Sequence, residues 1–148
     1  MKLLSILLLL VGLTFGQMKP VEKDQRWKQI KPLATNCEDI KRIFQVEKCG
    51  DLVSFYDFKT YEITIVFSLG VNKWDPPKGM VKQAAIIFRE GIKLEEFEDN
   101  LDSYEVKPIS DLPGKVYYTN EKKGVELILI EANGEKWIRN LVLSPPVK

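Results

Sequence analysis

The chain has 148 residues, with 22 basic and 21 acidic side chains, a net charge of +1, two cysteines and no histidine. Charged residues make up 29% and apolar residues 45%, the balance of an ordinary globular chain and not of a disordered one. So small a net charge argues against a nucleic acid partner, which needs a basic face to displace counterions. The missing imidazole excludes Ser-His-Asp and Cys-His nucleophilic sites and nearly all zinc sites, leaving carboxylate chemistry, a Ser-Lys pair or no chemistry.

Residues 1–16 read as an address. Lys2 is followed by an apolar run from Leu3 to Leu13 and then by Thr14-Phe15-Gly16. This is the layout of a secretory signal peptide cleaved after Gly16. The run is shorter than the roughly 20 residues a spanning helix needs, so no transmembrane span is expected once the leader is removed. The location this implies is secreted or periplasmic. Residues 17–26 are polar and read as a flexible lead-in, and 27–148 as one domain.

Residues 27–33 bring Trp27, Ile30 and Leu33 into an extended stretch. Thr35-Asn36-Cys37-Glu38 matches a capping box, with Thr at the cap and Glu three residues on. The helix that follows places Cys37, Ile40, Ile43 and Phe44 on one face. In an oxidising compartment Cys37 and Cys49, the only cysteines, are expected to pair. A helix from Cys37 to near Gln45 rises about 12 Å, and four extended residues can run back about 13 Å. Two buried free thiols are the alternative.

After Gly50 the apolar period changes from helical to two. Strands are expected over 52–58 and 61–69, the second with Tyr61, Ile63, Ile65 and Phe67 on one face. Residues 70–80, with Gly70, Pro76, Pro77 and Gly79, form a long loop. Residues 80–88 read as a strand near the sheet centre, ended by Gly91. Residues 94–101 read as a second small helix with Leu94, Phe97 and Leu101 inward. Strands follow over 104–109, 115–119, 125–132 and 135–143, and Asn133-Gly134 is a strong two-residue hairpin signal. The sum is an α+β fold, two helices on one face of a mainly antiparallel sheet of six or seven strands.

Trp27, Ile30-x-Pro32-Leu33-x-Thr35-x-x-Glu38-Asp39-Ile40 and Ile43-Phe44 resemble the opening of an uncharacterised family of small secreted bacterial proteins. Trp74 with Pro76-Pro77, Leu112-Pro113-Gly114, Tyr117-Tyr118-Thr119-Asn120-Glu121 and the strand after Gly124 resemble the same family. It carries no assigned activity, so the resemblance implies a small exported protein and no particular chemistry. Where the family helix ends in a Leu-Gly-x-Pro step, this chain has Phe44-Gln45-Val46-Glu47. More distantly, the capped helix and strand meander resemble the small protein A/outer-membrane lipoprotein A domain and the beta-lactamase inhibitory protein. Those are non-enzymatic modules that bind other proteins, a likeness of fold alone. The lipid-anchor cysteine of the lipoproteins is missing.

The candidate partner-binding residues are Trp74, Asp75, Pro76 and Pro77, on a proline-stiffened loop, and Tyr118, on a strand. Trp74 could instead fold back as a cover over the core. Trp137 reads as a cross-strand packing residue. Glu95, Glu96, Glu98, Asp99 and Asp102 read as a solvated helix face, without the ligand ladder of a calcium loop. No catalytic residue, cofactor or metal is expected. The leading expectation is an exported, non-enzymatic module that binds another exported or envelope protein. The alternatives are a small carboxylate-based enzyme acting on a glycan and a carrier of a small apolar ligand.

Overall fold

A computed structural model describes residues 24–73, 75–109 and 115–147; the leader region, Trp74 and the expected turn at 111–114 lie outside them. Seven strands form one antiparallel sheet: β1 (Val53–Asp57), β2 (Tyr61–Phe67), β3 (Val81–Lys93), β4 (Glu105–Pro108), β5 (Lys115–Asn120), β6 (Val125–Ala132) and β7 (Glu135–Leu143). Their order across the sheet is β1-β2-β3-β7-β6-β5-β4. Two meanders, β1–β3 and β4–β7, are therefore joined side by side through the pairing of β3 with β7.

One face of the sheet is covered by the helix α1 (Cys37–Phe44) and a 3-10 turn (Arg26–Gln29). The alternation seen in the sequence supplies that face. Tyr56, Ile63, Ile86, Leu141, Leu127, Tyr118 and Val106 stand opposite one another in a single row that crosses all seven strands. The four central members are essentially inaccessible, the tyrosines are half-buried and Val106 at the far edge is exposed. Burying each central aliphatic side chain contributes about 1.5–3 kcal/mol. Ile40 and Phe44 of α1 close over the row's β1–β3 half. Rings in contact run from Trp27 through Phe88, Tyr61, Phe58 and Phe44 to Tyr56.

The helix starts where the spacing predicts, but its cap is Asn36 and not Thr35. The Asn36 side chain accepts from the Asp39 amide at 3.0 Å, and the Asp39 carboxylate accepts from the Asn36 amide at 3.1 Å. Thr35 is buried and engaged elsewhere. Its hydroxyl accepts from the Lys31 amide at 2.8 Å, and its carbonyl accepts from Val81 at the start of β3. At the other end Gln45 takes the left-handed conformation (φ 57°). The Val46 amide closes back on the Lys41 carbonyl there.

Two further differences have local causes. Residues 26–29 wind into a 3-10 turn instead of extending, because Arg26 is held by Asp24 and by the last helical carbonyl, Phe44, at 2.9 Å. The second helix is only a 3-10 turn, Leu94–Phe97, followed by another at Leu101–Ser103. Glu98 between them is left-handed (φ 61°), which stops the helix. Leu94, Phe97 and Leu101 still pack against the core. Asn133 and Gly134, both at positive φ, make the expected two-residue turn between β6 and β7.

Cys37 and Cys49 lie at disulfide distance, with Cα atoms 5.9 Å apart. A bond there ties the start of α1 to the segment entering β1. Replacing both cysteines by serine is expected to lower unfolding free energy by about 2–4 kcal/mol. Denaturant titration of oxidised wild type against the double variant measures this; equal stabilities would show that the tie carries no weight.

Candidate functional site

Two regions stand apart from the packed interior. The first is a cleft of about 360 Å³ on the helix-bearing side. Its β3 wall lies in the stretch where β3 and β7 lose register. Ile87 pairs with Asn140 and Ile92 with Ile138, so residues 88–91 of β3 stand opposite Arg139 alone. The surplus backbone bulges, and Arg139 donates a hydrogen bond to the Arg89 carbonyl inside the bulge. Gly91 turns the strand back at φ 79°. A methyl group there would lie 3.3 Å from the Ile138 carbonyl oxygen and 3.4 Å from the Trp137 Cβ, so the position needs glycine for both conformation and space.

Trp27, Phe88 and Ile92 form the apolar lining of the cleft, with Trp27 edge-on to Phe88 at 5.4 Å between ring centroids. Asp24 borders it and is locked in place. The Arg26 guanidinium donates to both of its carboxylate oxygens, at 2.6–3.0 Å, and lies over the Phe58 ring at 4.8 Å. Burial pushes the Asp24 carboxyl up, but the Arg26 hydrogen bonds and charge outweigh it and hold the group below the ordinary carboxylate range. Asp24 is therefore a fixed anion and not a proton donor at neutral pH. Lys28 crosses to the Glu96 carbonyl at 3.2 Å. The Thr60 Oγ1, also at the cleft, is buried without a hydrogen-bond partner.

The second region is an apolar corner. Phe55 on β1 is 62% exposed, and Leu52, Val53, Leu69 and Val71 are also exposed large apolar side chains. The Phe67 amide bonds to the Leu52 carbonyl, so residues just after β2 and just before β1 share one end of the sheet. β1 is an edge strand. Bonding at Leu52 and Phe58 sets the alternation, which turns the backbone groups of Val53, Phe55 and Asp57 away from β2. Gly50 packs against the Val53 carbonyl, leaving Phe55 and Asp57 as the open positions. The opposite edge, β4, is protected by Glu105, Lys107 and the missing amide of Pro108.

The loop residues named from the sequence border this corner, with Trp74 itself outside the described residues. Pro76 is buried, and its carbonyl accepts from the buried Ser68 hydroxyl at 2.6 Å. Pro77 is exposed. Asp75 accepts from Lys82 at 2.9 Å and from Asn72 at 3.2 Å, and the Lys82 hydrogen bond holds its carboxyl below the ordinary range. The loop is thus pinned by its own polar contacts. Tyr118 is half-buried on the helix-bearing face, in the row described above. Its neighbour Tyr117 stands on the other face and donates to Glu126; burial and that hydrogen bond push its phenol up to about 12. Trp137 packs across the sheet beneath Lys93, whose Nζ sits 5.3 Å from the ring centroid. Asp99 accepts from Lys123 at 2.6 Å and Tyr104 at 2.7 Å. Among the described residues, no three Asp, Glu or Cys side chains gather as metal ligands.

The sequence reading missed the cleft, and its only signal was Gly91 followed by the resumed apolar residue Ile92. Gly91→Ala is expected to cost about 1–2 kcal/mol from the left-handed backbone alone; a thermal melt indistinguishable from wild type would refute the strained bulge. The Asp24–Arg26 pair predicts an acid effect. Because the folded carboxyl lies below its unfolded value of about 3.9, its stabilisation is complete above that value and lost as pH falls through the folded one. Asp24→Asn should be less stable than wild type at pH 7 by about 1–2 kcal/mol, with the gap shrinking below about pH 3.9. A gap that stays constant down to acid pH would contradict the pairing. No protein-family model, curated protein or solved structure matches this chain.

Proposed function

We propose that this chain is an exported, non-enzymatic module, secreted or periplasmic, that binds another exported or envelope protein on the apolar corner beside β1. The observation that carries the reading is Phe55, 62% exposed on an edge strand that holds no proline and whose one charged residue, Asp57, is paired with Arg89. Phe55 shares its face of β1 with exposed Val53, and exposed apolar surface of this kind marks interaction sites. The partner chemistry that fits is an extended polypeptide segment. It would take up the outward backbone groups of Phe55 and Asp57 and lay an apolar side chain over the ring. The cysteine pair at disulfide distance and the apolar leader support an extracytoplasmic setting. Asp75, Pro77 and Trp74 belong to the loop expected to flank the bound segment. At the cleft, Asp24 is committed to its ion pair with Arg26.

The test is chemical cross-linking of the purified protein to its own envelope and secreted fraction, read by mass spectrometry. Wild type, Phe55→Ser, Trp74→Ala and Val106→Ser would be compared, the last altering the opposite edge. A single partner captured by wild type and Val106→Ser, and reduced at least about tenfold in Phe55→Ser, is the expected result; tenfold corresponds to about 1.4 kcal/mol. Equal capture by Phe55→Ser, or no partner at all, would contradict the proposal. Circular dichroism confirms that the variants stay folded.

A further inference from the structure

The cleft at the β3 bulge carries charges that the fold does not consume. Lys59 and Glu90 both line it, and neither has an ion-pair or hydrogen-bond partner among the described residues. Tyr61 faces Phe88, and the Arg89 amide bonds to the Thr60 carbonyl at 3.0 Å, which brings the β1–β2 turn that carries Lys59 alongside the stretch of β3 that carries Glu90. The two charges stay unpaired at the mouth of an apolar cleft. Thr60, next to Lys59 in the chain, also lines the cleft, and its Oγ1 is buried and without a partner. A buried hydroxyl left unsatisfied costs free energy that a ligand atom can recover.

From this arrangement we infer that the cleft binds a small zwitterion, an α-amino acid with an apolar or aromatic side chain. The carboxylate goes to Lys59 and the Thr60 hydroxyl, which donates to it. The ammonium goes to Glu90. The side chain rests on Trp27, Phe88 and Ile92, within a volume at the lower end of small-ligand sites. Selectivity requires both ligand charges: an amine alone leaves Lys59 unanswered, and an acid alone leaves Glu90 unanswered. Each charge-assisted contact at such a rim is worth about a factor of ten in affinity.

Calorimetry and NMR of the purified protein with L-phenylalanine, phenethylamine and 3-phenylpropionate test this. L-Phenylalanine is expected to shift the Trp27 indole resonance and to bind at least about tenfold more tightly than either singly charged analogue. Glu90→Gln should bring L-phenylalanine down to the level of 3-phenylpropionate, and Lys59→Met to that of phenethylamine. Both residues are exposed, so neither variant threatens folding. The inference is overturned if L-phenylalanine leaves the Trp27 resonance unmoved, if the three compounds bind alike, or if neither variant changes the ranking.

Discussion

The sheet depends on one joint. β1–β3 and β4–β7 are each local meanders, and only the pairing of β3 with β7 makes them a single sheet. At that joint Ile86 faces Leu141, and both are inaccessible. The row that passes through them is dry in the middle and wet at its two edges, as a half-covered antiparallel sheet requires. The helix covers the β1–β3 half, while the long crossover from β3 to β4 adds Leu94, Phe97 and Leu101 to the core. Weakening the joint would expose apolar surface on both meanders at once.

The cleft lies beside the same joint. β3 has 13 residues, and those at 88–91 follow β2 and its turn while β7 advances by only one residue. Beside the bulge, Trp27 and Phe88 border open space, with Lys59 and Glu90 at its rim. A local departure from pairing thus sits beside the proposed recognition feature, where bulges are often found. The apolar corner has a different origin: β1 is short, ends the sheet and carries its large side chains at Val53 and Phe55, where nothing lies over them.

Much of this was legible in the sequence because it is local. The two-residue alternation of Tyr61, Ile63, Ile65 and Phe67, the helical face of Ile40 and Phe44, and the Asn133-Gly134 turn each declare themselves within a few residues. The cap shifted from Thr35 to Asn36 because Thr35 is recruited by β3, a contact 46 positions away in sequence (Thr35 carbonyl to Val81 amide). Gly91 read as the end of a strand because glycine punctuates and bulges alike; only the partner strand tells the two apart. The order that puts β7 beside β3 is likewise non-local, and so is the choice between Tyr117 and Tyr118, whose alternation is visible but whose faces are assigned only by the helix-bearing side. The cleft inherits this opacity, since its lining comes from 24–28, 59–60 and 88–96, brought together by pairing.

The central claim is that the β3–β7 joint holds the sheet while the bulge interrupts it. Residue-resolved amide hydrogen exchange tests it most directly. The bonded amides of residues 84–87 and 140–143 should exchange only through global unfolding, with Glu90 and Gly91 exchanging by a faster local route. Protection at Glu90 and Gly91 equal to that at 84–87 would mean an unbroken ladder and contradict the bulge.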